Sequence, residues 1–351
     1  MKILYADSET GADISLPEVG VFAYAERAHI QLMAWAIDDG PVRVDEWNAS
    51  AKANFAGLIG QVDRVVFHHA EFDTTLLAAD KVKIPREKLF CTMNQARRHG
   101  LPGGLGKLCE VFNIPEDKAK QKAGRALMML FCKPNADGTW NTPSTHPEQW
   151  AAYKKYCEFD VIAMRELYRI MPHWNDAIEA PIEYLSDRIN ARGFEVDAQF
   201  AAQAVKLLTK YKDDTDSDVH EVTNGQVEKG TQRDRILKWI LAEHGVDLPD
   251  LTKSTLERRL GDENLPDAVR ELIALRLQSN KASTAKYAAV LKRVSNDGRM
   301  RGAFAYCGAA RTGRFASYGL QVHNLKRPDL PAKDIEHVTR AIRAEAFDLL
   351  Y

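Results

Sequence analysis

The sequence has no C-x-x-C pair, no long apolar run, no repeat, no low-complexity tract and almost no net charge. Each absence narrows the possibilities. Five scattered cysteines (Cys91, Cys109, Cys132, Cys157 and Cys307), odd in number, point away from a disulfide framework and a thiolate zinc site, and toward reduced thiols in a cytoplasm. No apolar run reaches the roughly 18 residues a spanning helix needs, so no membrane is expected as a partner. The N-terminus, MKILYADSET, is acidic and alternating, and reads as a strand rather than a targeting peptide. The remainder is ordinary for a globular protein, 45% hydrophobic and 28% charged, and 351 residues suffice for two domains with cores of their own.

The net charge of −1 conceals an uneven distribution. Between Lys281 and Arg327 ten Lys and Arg face a single acid, Asp297. Interleaved Gly and aromatic residues (GAFAYCGAARTGRFASYG) make this block a candidate for tracking a phosphate backbone. A solvated basic face is the alternative.

Period-two alternation places Ile3, Tyr5, Asp7 and Glu9 on one strand face. Further strands are expected at 30–37, 42–47 and 64–67, with a hairpin turn at Asp38-Asp39-Gly40-Pro41. Helical patterns follow at about 71–79, 104–113, 121–131 and 147–170, with a loop at 133–145 and a stop at Met171-Pro172. From 180 to 280 the pattern is almost wholly helical, broken by an extended piece at Gly193–Asp197.

Three short acidic motifs stand out. D-x-E occurs twice, at 7/9 and at 334/336, where chance alone supplies roughly one or two. Only the first ends a strand, where both carboxylates point the same way. In HHAEFD, His69 and Asp73 are one helical turn apart, and an acid there is also what a helix dipole favours. In YCEFD, Tyr156 and Asp160 are again four apart, on a helix whose other face (Trp150, Tyr153, Cys157, Val161, Met164) is apolar. An ordinary amphipathic helix would look the same.

In this order the three motifs resemble the exonuclease domain of proofreading DNA polymerases, the DnaQ-like superfamily on a ribonuclease-H-like fold, in its DEDDy branch. The resemblance covers about residues 1–170. It implies an α/β domain, a mixed sheet with flanking helices. It implies two divalent cations, Mg²⁺ or Mn²⁺, held by Asp7, Glu9, Asp73 and Asp160, with a water oriented by Tyr156. It also implies that Thr10, His69 and Phe72 line a single-stranded 3′ end. One departure is clear: the position four before Asp73 is usually Asn and here is His69, for which a hydrogen bond orienting a ligand is expected.

A second resemblance begins at RINARGFEVD and is strongest over 281–328. It is to phage-encoded family A DNA polymerases. By it the helices of 198–295 are a mainly α thumb-like region, Lys281 and Lys286 meet phosphates, and Arg311, Arg314, Gln321 and Asn324 hold the primer. The palm motifs that carry nucleotidyl transfer do not follow before Tyr351. The expectation is therefore an exonuclease domain over 1–175 and a thumb with a partial palm over 176–351. The function implied is 3′–5′ proofreading in DNA replication, without synthesis by this polypeptide alone. A separate chain supplying palm and fingers, or a truncation, explains the missing motifs equally well. A DNA-binding subunit of a split polymerase, or a nuclease acting on RNA, remains an alternative. The apolar residues at 338, 342, 346, 347, 349 and 350 are expected to need covering by a continuation.

Overall fold

β1 (Ile3–Gly11) is the spine of the first half of the chain. The computed structural model describes all residues but 115–117, 174, 280–284 and 351, and for 118–123 the backbone alone. Lys281 therefore lies outside the described residues. After β1 come α1 (Leu16–Ala25), β2 (His29–Ile37), β3 (Arg43–Glu46), α2 (Ala49–Gln61), β4 (Arg64–Phe67), α3 (Ala70–Ala79) and β5 (Leu89–Cys91). The helices α4 (Thr92–Arg98), α5 (Leu105–Val111), α6 (Lys118–Phe131), α7 (Pro147–Ile170) and α8 (Asp176–Arg192) follow, then β6 (Phe194–Glu195).

The five strands form one mixed sheet in the order β3-β2-β1-β4-β5. β1 pairs antiparallel with β2 and parallel with β4. A central strand flanked on both sides must bury both of its faces. Leu4 and Ala6 pack with Met33, Val65 and Phe67 against α2 and α3. Tyr5, with Leu32, Ala34 and Val66, packs against Tyr153, Cys157 and Val161 of α7. The strand thus presents its odd residues to α7 and its even residues to α3.

α9 (Ala198–Val222), α10 (Arg233–His244), α11 (Lys253–Leu260), α12 (Asp267–Ser279) and α13 (Ala285–Arg293) come next. Asp197 caps α9 by accepting from the Phe200 amide at 2.7 Å, and Gly245 ends α10 in the left-handed region, φ 64°. The chain ends with β7 (Arg299–Met300), β8 (Phe304–Ala309), β9 (Arg314–Ser317) and α14 (Ala332–Arg343). β7 pairs with β6, and β8 with β9.

Two compact units result, neither continuous in sequence: Met1–Val196 with Lys292–Leu325, and Asp197–Leu291 with Lys326–Tyr351. Compactness therefore groups α8, β6 and the β8–β9 hairpin with the sheet, on the far side of the expected 175/176 division. The reason is local bonding. The Asn190 amide group donates to the Phe304 carbonyl at 2.8 Å and to Glu71 Oε1 at 2.7 Å, and accepts from the Phe304 amide at 3.0 Å. At Gly193, φ 58°, a β-carbon would lie 2.3 Å from the Met300 carbonyl oxygen, so the β6–β7 pairing requires glycine there. The second unit has its own core around Val219, Trp239, Ile240, Leu256, Val269 and Leu272. α14 packs on α9 with Ala341 and Ile342 buried, so part of the terminal apolar stripe already has a cover, while Leu349 stays exposed.

Candidate metal centre

The pairing of β1 with β2 slips at the position that matters. Glu9 faces Leu32, but Thr10 faces Ile30, so Gln31 is an extra residue in β2. Bulges of this kind re-aim side chains at the ends of strands. Asp7 and Glu9, two residues apart, both turn toward α7. On α7 the residues 153, 156, 157 and 160 recur at helical spacing and form one stripe. The ligand atoms of Asp7, Glu9 and Asp160 all lie within 4.8 Å of one another.

Asp73 approaches from the opposite side. The chain leaves β4 through His68 and His69, the latter in the left-handed region at φ 76°, an uncommon conformation for a residue other than glycine. That turn starts α3 so that Asp73, in its first turn, points back at β1. Its Oδ1 accepts from the Ser8 hydroxyl at 2.6 Å and the Ser8 amide at 3.1 Å. Ser8 lies between the two β1 acids, on the other strand face. Asp73 is thus beside the cluster, with one oxygen occupied and the other uncommitted to Ser8.

The electrostatics follow from burial. Glu9 and Asp73 are almost wholly withdrawn from solvent. Desolvation first, and then the charges of Asp73, Asp160 and Glu9, push Asp7 well above the usual carboxylate range. Desolvation and the charge of Asp160 push Glu9 up to about 8, opposed by a hydrogen bond from Tyr153. Burial carries Asp73 to about 7 against the lowering effect of the Ser8 bonds. An acidic group of this kind without a cation holds protons near neutral pH. It is chemically suited to exchange them for a divalent ion, because clustered carboxylates are the donors that hard cations take. The three grouped acids, Asp7, Glu9 and Asp160, therefore form a donor set that fits a divalent ion.

Tyr156 is hydrogen-bonded to Asp160, and burial and that carboxylate raise its pKa, so the phenol stays protonated. The Cδ2–Cε2 edge of its ring lies against α6 at Gly124, where an added β-carbon would sit 2.2 Å from Cδ2. Tyr153, fully buried, donates to Glu9 Oε2 at 3.0 Å. Ser8, Gly124 and Tyr153 are contacts that sequence reasoning missed. A serine between two ligands, a glycine within a helix and a tyrosine on an apolar face carry no distinguishing local signal.

The remaining candidates are placed elsewhere. Thr10 is buried and shares its hydroxyl with that of Tyr24 at 3.0 Å. Phe72 packs on Tyr24 and stacks on His69, with ring centroids 6.2 Å apart. His69 is lowered to about 4 by burial and by Arg97, and is neutral at physiological pH. It lines a cavity of about 740 Å³ enclosed by α1, α3, α8 and β8, whose wall includes none of the four acids. Arg311 and Arg314 are exposed at the turn of the β8–β9 hairpin, and neither makes an ion pair among the described residues. Gln321, at φ 51°, and Asn324 are exposed just beyond it. Lys286 lies on α13 in the second unit.

The basic block is less free than its composition implies. Lys292 pairs with Glu18, Arg293 donates to the Pro17 carbonyl, Arg299 to the carbonyls of Arg192 and Gly193, and Arg301 binds Asp297 through two nitrogens. Those four side chains hold the first unit together. Among the described residues, Arg311 and Arg314 at the hairpin turn make no ion pair.

The fold is similar to that of a polymerase domain. The chain superposes on the POL domain of Pol1 from M. smegmatis, solved with DNA primer-template and dNTP, with a TM-score of 0.56 at 13% identity, over 93% of this chain and 53% of that one. In sequence the chain is similar from end to end to the DNA polymerase of Bacillus phage SP02, 30% identical over 367 aligned residues. It spans about half, 55%, of that relative's length. No protein-family profile matches it. The likeness to the N-terminal portion of a phage-type family A DNA polymerase therefore holds over the whole chain. Among the described residues no helix is long and apolar enough to cross a membrane.

Proposed function

We propose that the chain is a metal-dependent 3′–5′ DNA exonuclease that forms the proofreading part of a DNA polymerase. In this reading residues 1–175 are the ribonuclease-H-like nuclease and 176–351 the thumb with the beginning of the palm. The observation that carries it is the meeting of Asp7 and Glu9 from β1 with Asp160 from α7, oxygen atoms within 4.8 Å, with Asp73 at their side. The strand order β3-β2-β1-β4-β5 agrees with the fold that reading requires.

Asp7, Glu9 and Asp160 would hold one divalent cation, Mg²⁺ or Mn²⁺, and Asp7 with Asp73 a second. Such ions supply an activated hydroxide and neutralise charge on the scissile phosphate. The chain's own residues do the rest. Tyr156 donates a hydrogen bond to Asp160 and keeps its proton, which leaves its oxygen lone pairs to accept a hydrogen from the attacking water and hold it in line. Gly124 lets the ring lie close enough to do so. Ser8 fixes one oxygen of Asp73. Neutral His69 and Phe72 form a flat pair on which a base can stack. The exposed Arg311 and Arg314 are suited to a primer backbone, with Gln321 and Asn324 beside them to contact sugar or base edges.

The test is degradation of a 3′-mismatched primer by the full chain with Mg²⁺ or Mn²⁺. Mononucleotide release from the 3′ end, abolished by EDTA and by Asp160→Ala, is expected. Release that survives both would refute the reading. Parallel single-stranded RNA of the same sequence decides between DNA and RNA.

A further inference from the structure

We propose that Tyr153 is a positioning residue for the metal centre, its buried phenol fixing the Glu9 carboxylate so that one oxygen remains for the cation. The inference rests on the metal-dependent reading above. The Tyr153 hydroxyl has no solvent and donates to Glu9 Oε2 at 3.0 Å. A buried hydroxyl without an acceptor is costly, so this bond is strongly preferred over none. The ring cannot swing away. Phe131 stacks on it at a centroid distance of 5.3 Å and an interplanar angle of 20°, and Trp150 meets it edge-on at 5.7 Å. The Cys157 thiol, one turn along, donates to the Tyr153 carbonyl at 3.1 Å.

An unrestrained glutamate can offer either oxygen, or both, to an ion. A donor locked onto Oε2 removes that freedom and leaves Oε1 as the ligand atom. The same α7 stripe then supplies three different services: a ligand in Asp160, a hydroxyl for water in Tyr156, and a clamp on a ligand from another element in Tyr153. Partners that orient metal ligands typically govern affinity by about 10- to 100-fold.

Tyr153→Phe in the full chain removes one oxygen and no ring packing. Mn²⁺ binding measured by calorimetry is expected to weaken by about 10- to 100-fold. The Mn²⁺ concentration for half-maximal degradation of single-stranded DNA rises by the same factor, and the rate at saturating Mn²⁺ largely recovers. A purely structural tyrosine would instead lower the melting temperature in EDTA and leave Mn²⁺ affinity alone. Mn²⁺ affinity within about twofold of the unaltered chain overturns the proposal. Glu9→Gln separates the two levels. If it loses Mn²⁺ while Tyr153→Phe does not, only the tyrosine's role falls. If it binds Mn²⁺ unchanged, the metal reading falls with it.

Discussion

Gly124→Ala would separate the stability of the first unit from its proposed chemistry. The added methyl would lie 2.2 Å from Tyr156 Cδ2 and 2.3 Å from Cε2. Ordinary carbon contacts begin near 3.5 Å, so the two must part by about 1 Å or more. Gly124 is held by the backbone of α6, so the displacement falls largely on the Tyr156 ring. The hydroxyl that would hold the attacking water moves with it. Misplacement on this scale costs on the order of 10²-fold in rate, or about 2.7 kcal/mol of barrier. Stability responds differently. Alanine is the better helix former by about 1 kcal/mol, which offsets part of an overpacking cost of roughly 1–3 kcal/mol. The melting temperature should therefore change little while the rate falls steeply. Single-turnover degradation of a 5′-labelled single strand, read beside thermal unfolding of the same preparation, measures both. If Gly124→Ala retains full rate while Tyr156→Phe is impaired, the ring does not depend on this glycine and the reasoning fails. If Tyr156→Phe also retains full rate, the tyrosine has no part in the reaction.

Asp7→Ala or Asp160→Ala should each abolish degradation of single-stranded DNA with the far-ultraviolet circular dichroism unchanged; persistence of activity in either would exclude the cluster. Glu9 at about 8 and Asp73 at about 7 have folded-state values raised above their unfolded ones, so in EDTA their contribution to stability is complete below about pH 4 and is lost as pH rises through 7 to 8, at about 1.4 kcal/mol for every tenfold change in proton affinity. Melting in EDTA should thus fall from pH 5 to 8.5, and Mn²⁺ should restore more at the alkaline end; a flat EDTA profile would count against the raised values. Arg314→Ala should weaken primer-template binding about equally for all sequences and reduce the salt slope by about 1, as loss of a phosphate contact does; an unchanged slope would remove the hairpin turn from the DNA surface.

Much of the sheet was legible because its signals are local. Alternation marked β1, β2 and β4, and α7 carries apolar and polar stripes long enough to fix its ends at Pro147 and Ile170. The three acidic motifs were legible for the same reason, since period two and period 3.6 state which carboxylates share a face. β5 escaped notice because three residues, Leu89–Cys91, carry no periodicity. α1 is interrupted at Gly20, φ 77°, which breaks its pattern. The Ser8–Asp73, Tyr153–Glu9 and Gly124–Tyr156 contacts join residues far apart in the chain, and no window of sequence contains both partners. How the charge of the basic block is spent is equally invisible in sequence. Composition counts Arg299 and Arg301 as free charge, whereas their hydrogen bonds close backbone at the end of α8 and a local ion pair.

The discontinuous make-up of the first unit has a consequence for how the protein is made. Asn190 finds its partner at Phe304 only after the intervening helices of the second unit have left the ribosome. Until then the Asn190 amide, which donates to Glu71 on the helix that carries Asp73, lacks its two bonds to the Phe304 backbone. Nascent chains arrested before residue 304 should accordingly be clipped by protease near α3 and α8. Chains arrested well after residue 325 should withstand the same treatment.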